Sequence, residues 1–234
     1  MPDGMVMQRL NIYYLLDTSS SMAGPRIQQL NTCMQELKPV LEETGIKERV
    51  EIVVRAIEFG NNNTADWHTG NAANGIPIEQ FKWLNLQASG EGTPTSKALE
   101  IVADALNPEY LGVRTLRPVI ILITDGGCTD PSKVYEEACE KVKKRIGGVE
   151  TRIAIGVTGF NRAQLENFAT YGKIEGIGDK VPFIFEAKDP GQMAAIIRWA
   201  SVTSIRNSMR TNVGGNDGRD DVIALPPPPD KKWI

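Results

Sequence analysis

Short apolar runs alternate with segments of helical periodicity along this chain, and that alternation restricts its possible folds more than any other feature. The clearest runs are LNIYYLL at residues 10–16 and RPVIILITD at residues 117–125. A strand buried on both faces is apolar throughout, whereas a strand with one wet face alternates apolar and polar residues. We therefore predict an α/β fold in which a doubly wound, mostly parallel central sheet carries helices on both faces.

The remaining elements follow the same order. A helix is expected from Pro25, with Pro39 kinking or ending it, and Thr93 with the following proline resembles the cap of another helix. The stretch at 60–75 is rich in Asn and Gly and is expected to be a loop too polar for the core. Further strands are predicted at 49–59, 81–86, 151–159 and 181–187, and further helices from Asp130 and Pro131 to Arg145, from Arg162 to Ala169, and after Asp189 and Pro190.

Length and composition fit one large domain followed by a tail. With 234 residues, of which 41% are apolar, the chain can bury a substantial core. From residue 212 the sequence NVGGNDGRDDVIALPPPPDKKWI mixes Gly and Asp with a run of prolines, a composition that does not form another strand and helix. We predict a domain over residues 1–211 and an extended tail over 212–234. Trp233 in this tail either anchors a partner or folds back on the domain.

Charge and hydropathy argue against several classes of protein. The formal net charge is -3 at pH 7 and no long basic run occurs, so we expect no nucleic-acid partner. No apolar run reaches the roughly 18 residues of a membrane span, and the N-terminal residues lack the apolar core of a secretion signal. We therefore expect a cytoplasmic protein that does not bind membranes. Cys33, Cys128 and Cys139 form no CxxC pair and are expected to be reduced thiols.

Oxygen-bearing side chains gather where predicted strands end. DTSSS places Asp17, Ser19 and Ser21 at alternate positions after the first strand, and ITDGG places Asp125 at the end of the strand at 117–125. GEGT adds Thr93 from a loop that contains glycine. In an open parallel sheet, ligands bind beyond the carboxyl ends of the strands, where the winding direction reverses. We therefore expect these side chains to meet in one crevice.

Carboxylate and hydroxyl oxygens are the ligands of hard divalent cations. The set predicts Mg²⁺ in the first place, with Mn²⁺ or Ca²⁺ as alternatives. Hydroxyl ligands are neutral, so they leave the cation electrophilic and its coordination incomplete. A carboxylate from a protein partner can then complete it.

These motifs resemble the von Willebrand factor type A domain, over about residues 8–205. The metal-ion-dependent adhesion site of that family reads DxSxS, then a threonine in a Gly-containing loop, then an aspartate after a later strand, and all three parts occur here in order. The resemblance implies a Rossmann-like fold. It also implies that Ser19, Ser21 and often Thr93 touch the metal directly, while Asp17 and Asp125 act through water. Ser20 and Glu91 depart from the family's usual residues without removing a ligand.

Within that family the chain is similar to bacterial tellurite-resistance TerY-like proteins. The likeness rests on RLNIYYLLDTSSSMAGPRIQQLN near the start, on TDGGCTD, and on the proline-rich end. It implies a regulatory or scaffolding role in a stress response, with a kinase or phosphatase as partner. The expected function is therefore a metal-dependent, non-enzymatic protein interaction module that binds an Asp or Glu of its partner.

Other interpretations of the same residues stay open at this point. DxSxS alone is also a turn that caps the next helix. An aspartate ending the first strand with Mg²⁺ is also typical of some phosphoryl-transfer enzymes, although here Ser19 stands where the second acid of a DxD motif would be. A serine hydrolase is disfavoured because the only histidine, His68, lies in a polar stretch and no GxSxG motif occurs. A metal-free scaffold that binds through the tail is a third possibility.

Overall fold

The computed structural model describes residues 7–211 and 223–234, with the backbone alone for residues 210 and 211. Its main sheet has the strand order β3-β2-β1-β5-β6-β9, and β4 pairs with β2 beside β3. All pairings from β2 to β9 are parallel, whereas β3 and β4 run antiparallel to β2. The strands are β1 (Gln8–Asp17), β2 (Val50–Phe59), β3 (Ala65–Thr69), β4 (Ile76–Pro77), β5 (Val119–Thr124), β6 (Thr151–Val157), β7 (Tyr171–Ile174), β8 (Gly178–Pro182), β9 (Ile184–Ala187) and β10 (Ala224–Leu225).

Helices cover both faces of this sheet. They are α1 (Pro25–Glu48), α2 (Thr95–Ala105), α3 (Pro108–Leu111), α4 (Ser132–Arg145), α5 (Arg162–Phe168) and α6 (Pro190–Thr211). Strand β1 shows how the layers form, because its side chains alternate between two apolar clusters. Ile12 and Tyr14 pack in the cluster that contains α1 and α6, whereas Tyr13 and Leu15 pack in the cluster that contains α2 and α4. The predicted doubly wound α/β fold is confirmed.

The first helix does not end at Pro39. It continues through the proline to Glu48. A proline inside a helix removes one hydrogen bond and costs about 3 kcal/mol. Leu37 and Leu41, on either side of it, are each only 1% exposed, so packing of both flanking turns on the sheet offsets that cost.

The polar stretch at 60–75, predicted to be a loop, contains a strand, whereas the apolar stretch at 81–86, predicted to be a strand, does not form one. The first supplies the antiparallel edge strand β3, which is only half-buried and so needs few apolar residues. The second forms no strand, because Asn31 of α1 hydrogen-bonds to both the N–H and the carbonyl of Leu86 and accepts from the indole N–H of Trp83. Phe81 and Leu86 therefore reach the core from an irregular segment.

A small second sheet has the order β10-β7-β8. Strands β7 and β8 form a hairpin that was not predicted, and the single strand predicted at 181–187 is divided at Phe183 into the end of β8 and β9. Strand β10 comes from the region predicted as a tail and pairs with β7. Among the described residues, no helix has both the length and the apolar character needed to cross a bilayer.

The described part of the predicted tail packs on the domain. Residues 212–222 lie outside the described residues, but Ile223 is 5% exposed, Leu225 is fully buried and Trp233 is 6% exposed. Trp233 joins the apolar cluster of α1 and α6 and, with Pro229, lines a groove along α6. Folding back on the domain is therefore the role that the structure gives this tryptophan.

Replacement of Trp233 by alanine tests this packing. We expect Trp233→Ala to lower the free energy of unfolding by about 3 kcal/mol, since it removes a large buried aromatic side chain. Urea unfolding followed by far-UV circular dichroism measures the loss. Lys232→Ala, an exposed neighbour in the same turn, serves as the control and should change stability by less than about 0.5 kcal/mol. Equal stability of the two variants would contradict the packing.

Candidate functional site

The two predicted aspartates lie at the point where the sheet reverses its winding. Asp17 is the last residue of β1, and Asp125 directly follows β5. These strands are adjacent and parallel, with Leu16 in register with Ile123. Chain order runs from β1 to β2 on one side and through β5, β6 and β9 on the other. Residues more than a hundred positions apart therefore share one crevice at the carboxyl ends of the strands.

A chain of hydroxyl groups connects the segment between β1 and α1, here called the first loop, to Asp125. The Ser21 hydroxyl donates to Oδ1 of Asp125 at 2.7 Å, and the hydroxyl oxygens of Ser19 and Ser21 are 3.0 Å apart. Because the single proton of Ser21 goes to the carboxylate, Ser19 must be the donor in the second bond. Both hydroxyl protons are thus directed toward Asp125, and lone pairs on both oxygens remain for another partner.

Asp17 is fully buried and held on both carboxylate oxygens. Oδ1 accepts the backbone N–H of Ser19 at 2.9 Å, and Oδ2 accepts the Thr124 hydroxyl at 2.6 Å. Burial raises the pKa of the Asp17 carboxyl, and the nearby Asp125 acts in the same direction, while the hydrogen bonds from Ser19 and Thr124 oppose the rise. A neighbouring positive charge would therefore favour the ionised form.

Thr93 reaches the crevice from the loop before α2. Its backbone N–H donates to the Thr129 hydroxyl at 2.9 Å, and its carbonyl accepts the Thr129 N–H at 3.1 Å. These bonds tie the loop to the one that follows β5. The Thr93 hydroxyl oxygen lies 3.5 Å from where a Cβ on Gly126 would stand, which places it beside the residue that follows Asp125.

The helix caps differ from those predicted. The side chain of Thr93 does not cap α2, and α4 has no side-chain cap. Instead Asp130, predicted to cap α4, accepts the N–H of Ser96 in the first turn of α2 at 3.1 Å. A carboxylate at a helix N-terminus is favoured by the exposed N–H groups there. Asp130 therefore joins the two loops instead of starting its own helix, whereas Asp189 caps α6 as expected, through Gln192.

Close backbone packing fixes the shape of the first loop. The Thr18 N–H donates to the Phe59 carbonyl at 2.7 Å, and the Ser20 N–H donates to the Gly90 carbonyl at 3.1 Å. Gly60 has φ of 139° and lies so close to the loop that a Cβ there would be 2.4 Å from the Ser19 nitrogen. Glycine is therefore required at this position, for both its backbone angle and its lack of a side chain.

Arg26 also belongs to the site, although it is not among the residues predicted from the sequence. Its guanidinium forms an ion pair with Oδ2 of Asp125, and the same nitrogen donates to the Ser21 carbonyl at 3.2 Å. The other terminal nitrogen donates to the Thr158 carbonyl after β6 at 3.4 Å. One sequence signal was available: Arg26 stands in the first turn of α1, where the helix dipole disfavours a cation unless an acid lies nearby.

His68 does not lie in a loop, although a loop is predicted over 60–75. It lies in β3 with its side chain 9% exposed, and its Nε2 is 2.8 Å from the Leu84 carbonyl oxygen. Its ring packs against Trp83 with the ring centroids 4.5 Å apart.

All three cysteines are free thiols. The described residues contain no group of three or more His, Cys, Asp or Glu side chains arranged to hold a metal.

The donor set at the crevice therefore consists of oxygen alone, with two carboxylates and three hydroxyl groups. Such a set fits Mg²⁺, Mn²⁺ or Ca²⁺ better than a soft metal, which prefers sulfur and nitrogen. The candidate ligands are Asp17, Ser19, Ser21, Thr93 and Asp125. The structure links four of them through the bonds around Asp17 and the Ser19 to Asp125 chain, and places Thr93 beside Gly126.

Comparison with known proteins gives one family. The family model of the von Willebrand factor type A domain matches residues 11–198. The human collagen alpha-5(VI) chain is 25% identical over 169 residues, which are 71% of this chain and 6% of that protein. The chain thus spans a small fraction of this curated relative.

Solved structures share the fold at low identity. A von Willebrand factor type A protein from Catenulispora acidiphila has a TM-score of 0.59 at 14% identity, covering 85% of this chain and 43% of that one. Proximal thread matrix protein 1 from the mussel byssus, in a structure described as having a zinc-occupied MIDAS motif, has a TM-score of 0.57 at 17% identity, covering 85% and 46%. The chain spans less than half the length of each of these chains.

Gly60 offers a test of the loop packing. We expect Gly60→Ala to lower the free energy of unfolding by roughly 2–3 kcal/mol, because the new Cβ meets the Ser19 backbone and the backbone angle is unfavourable. Gly147→Ala is the matched control, since Gly147 also has a positive φ of 73° but no atom within 4 Å of the new Cβ. It should lose only about 1 kcal/mol. If both variants lose equally in urea unfolding, the close contact with Ser19 has no energetic weight.

Proposed function

The chain belongs to the von Willebrand factor type A domain family, and on that premise we propose that it is a protein interaction module whose crevice holds a divalent cation and binds an acidic side chain of a partner. Ser19, Ser21 and Thr93 would hold the cation directly, and Asp17 and Asp125 through water, as the family pattern implies. When bound, the cation supplies an electrophilic position for a carboxylate oxygen.

The observation that carries the proposal is the chain of bonds from Ser19 through Ser21 to Asp125. Its protons run toward Asp125, so the hydroxyl oxygens are oriented as acceptors before any cation arrives. Preorganised donors lose little conformational entropy on binding. The mussel protein described with a zinc-occupied motif supports a metal in this fold. For this chain, Mg²⁺ is the proposed ion, with Mn²⁺ or Ca²⁺ as alternatives, because every ligand is an oxygen.

The choice of an acidic partner follows from the charge of the ligand set. Two carboxylates face the crevice, and Arg26 already pairs with one of them. The hydroxyl ligands add no charge. The two negative charges balance a divalent cation without exceeding its charge, so an open coordination position can take an oxygen of an incoming Asp or Glu, which provides both orientation and specificity.

The narrower assignment rests on sequence resemblance. The similarity to TerY-like tellurite-resistance proteins leads us to propose a cytoplasmic role in a bacterial stress response, with a kinase or phosphatase as the partner. The motifs quoted above, from RLNIYYLLDTSSSMAGPRIQQLN to the proline-rich end, are its support.

Two alternatives have less support. A phosphoryl-transfer enzyme would need Asp17 to reach its substrate, but this side chain is fully buried and both its oxygens accept hydrogen bonds. A scaffold that binds through its tail would need Trp233 as an exposed anchor, but Trp233 is 6% exposed. We therefore propose a non-enzymatic module.

Calorimetric titration of Mg²⁺, Mn²⁺ and Ca²⁺ into the chelator-treated protein tests the metal site directly. We expect saturable binding with one ion per chain, and its loss in Asp17→Ala, because that variant removes half of the acidic charge of the ligand set. Asp104→Ala is the control, since Asp104 is an exposed acid that pairs with Lys141 in another part of the fold. Absence of heat with all three ions in the wild type would reject the metal site.

Binding to a partner should depend on the same site. We expect proteins captured by the tagged chain in the presence of Mg²⁺ to be lost on addition of EDTA and lost with Asp17→Ala, while Asp104→Ala retains them. Circular dichroism should show that both variants keep the fold. If Asp17→Ala captures the same partner as the wild type, the proposed binding mode is wrong.

A further inference from the structure

We infer that Arg26 is a built-in competitor for the cation: it neutralises Asp125 from within the protein, and a divalent ion must displace it from that carboxylate. This inference rests on the proposed function, because it concerns regulation of the same site. It makes Arg26 a residue that sets how tightly the site binds metal.

The position of Arg26 in its helix is the first support. It is the second residue of α1, whose first turn contains no acidic residue. The free N–H groups of a helix N-terminus carry partial positive charge, so an arginine there is unfavourable unless an acid from elsewhere compensates it. Asp125 supplies that compensation across the crevice. The pairing is therefore favourable for both side chains.

The burial of the pair is the second support. The Asp125 side chain is fully buried, whereas that of Arg26 is 32% exposed. Arg26 thus lies between the carboxylate and solvent. One oxygen of Asp125 accepts from Ser21 and the other from Arg26, so an ion that binds Asp125 competes with the guanidinium for the charge of the carboxylate. Its remaining bonds, to the carbonyls of Ser21 and Thr158, hold it in this place.

Charge determines the direction of the effect. Asp17 and Asp125 together supply two negative charges, and Arg26 cancels one of them. Two cations that share a carboxylate repel each other, and this repulsion is weakly screened at a partly buried site. Removal of the charge at residue 26 should therefore tighten metal binding. If Arg26 instead acted only to hold Asp125 in position, its removal would weaken metal binding.

Calorimetric titration of Mg²⁺ and Mn²⁺ distinguishes these roles. We expect Arg26→Gln to bind both ions at least about tenfold more tightly than the wild type, and Arg26→Lys, which keeps the charge, to stay within about threefold of it. Arg162→Gln is the matched control, because Arg162 is an arginine at the start of α5 that pairs with Glu166. Its affinity should stay within about twofold of the wild type.

The outcomes separate this inference from the proposed function. An affinity of Arg26→Gln equal to or weaker than that of the wild type overturns the inference and leaves the metal site in place. Failure of both wild type and Arg26→Gln to bind either ion rejects the proposed function, and the inference with it. A rise in thermal midpoint on addition of Mg²⁺ that is larger in Arg26→Gln than in the wild type is a second expected result, since ligands that bind only the folded state stabilise it.

A measurement on the wild-type protein keeps the inference testable if Arg26→Gln does not fold. Phenylglyoxal modifies accessible arginine side chains, and mass spectrometry reports the rate at each residue. We expect Arg26 to be modified several times faster with saturating Mg²⁺ than with EDTA, and Arg162 to react at the same rate in both. An Arg26 rate that is unchanged or slower with Mg²⁺ contradicts its displacement by the ion.

Discussion

The parallel pairing of β1 with β5 is the constraint on which the site depends. It joins segments more than a hundred residues apart and sets Leu16 beside Ile123. The residues that follow this pair in both strands therefore lie at the same crevice. Both strands are wholly buried where they pair, because each carries apolar side chains into two helical layers. Their register is therefore fixed by the core on both faces. Asp17 and Asp125 are close together because of that packing, and not because of an interaction between the two side chains.

The electrostatics of the crevice follow from this enforced proximity. Burial removes the hydration of the Asp17 carboxyl and raises its pKa, and the nearby Asp125 adds to this rise. Hydrogen-bond donors offset the cost of burying these carboxylates. Asp17 accepts from the Ser19 backbone N–H and the Thr124 hydroxyl, and Asp125 accepts from the Ser21 hydroxyl and the Arg26 guanidinium. The site thus satisfies its own charges in part through neutral groups. The serine and threonine hydroxyl oxygens keep lone pairs that can bind a cation, whereas the Arg26 guanidinium has none to offer, and this difference makes the arginine the residue that opposes a metal.

Sequence patterns predict the local and repetitive features of this molecule and miss the solitary long-range contacts. Continuous apolar runs identify the buried strands because a strand buried on both faces is apolar at every position. DxSxS is recognisable because its residues are close together in the sequence. Strand β3 is missed because an edge strand with one partner needs little apolar surface. Pro39 does not end α1, because the packing of Leu37 and Leu41 outweighs the local preference against proline inside a helix. Arg26 and Asp125 are 99 positions apart, and a single ion pair over that distance produces no repeating pattern in the sequence.

The loops around the crevice indicate how far a change at Arg26 can spread. Cys128, after β5, and Gln164, in α5, exchange two hydrogen bonds, with the Cys128 N–H donating at 2.8 Å. Thr93 and Thr129 exchange two more, and Gly60 leaves the first loop no room to move toward β2. Hydrogen bonds and close contacts on several sides therefore hold the backbone that presents the hydroxyl oxygens, whereas the Arg26 guanidinium lies at the end of a flexible side chain and is held by its own hydrogen bonds. Movement of Arg26 away from Asp125 then requires rotation of one side chain and the loss of its bonds to the carbonyls of Ser21 and Thr158. The fold can thus exchange one cation for another at this carboxylate without rearranging the sheet or the helices.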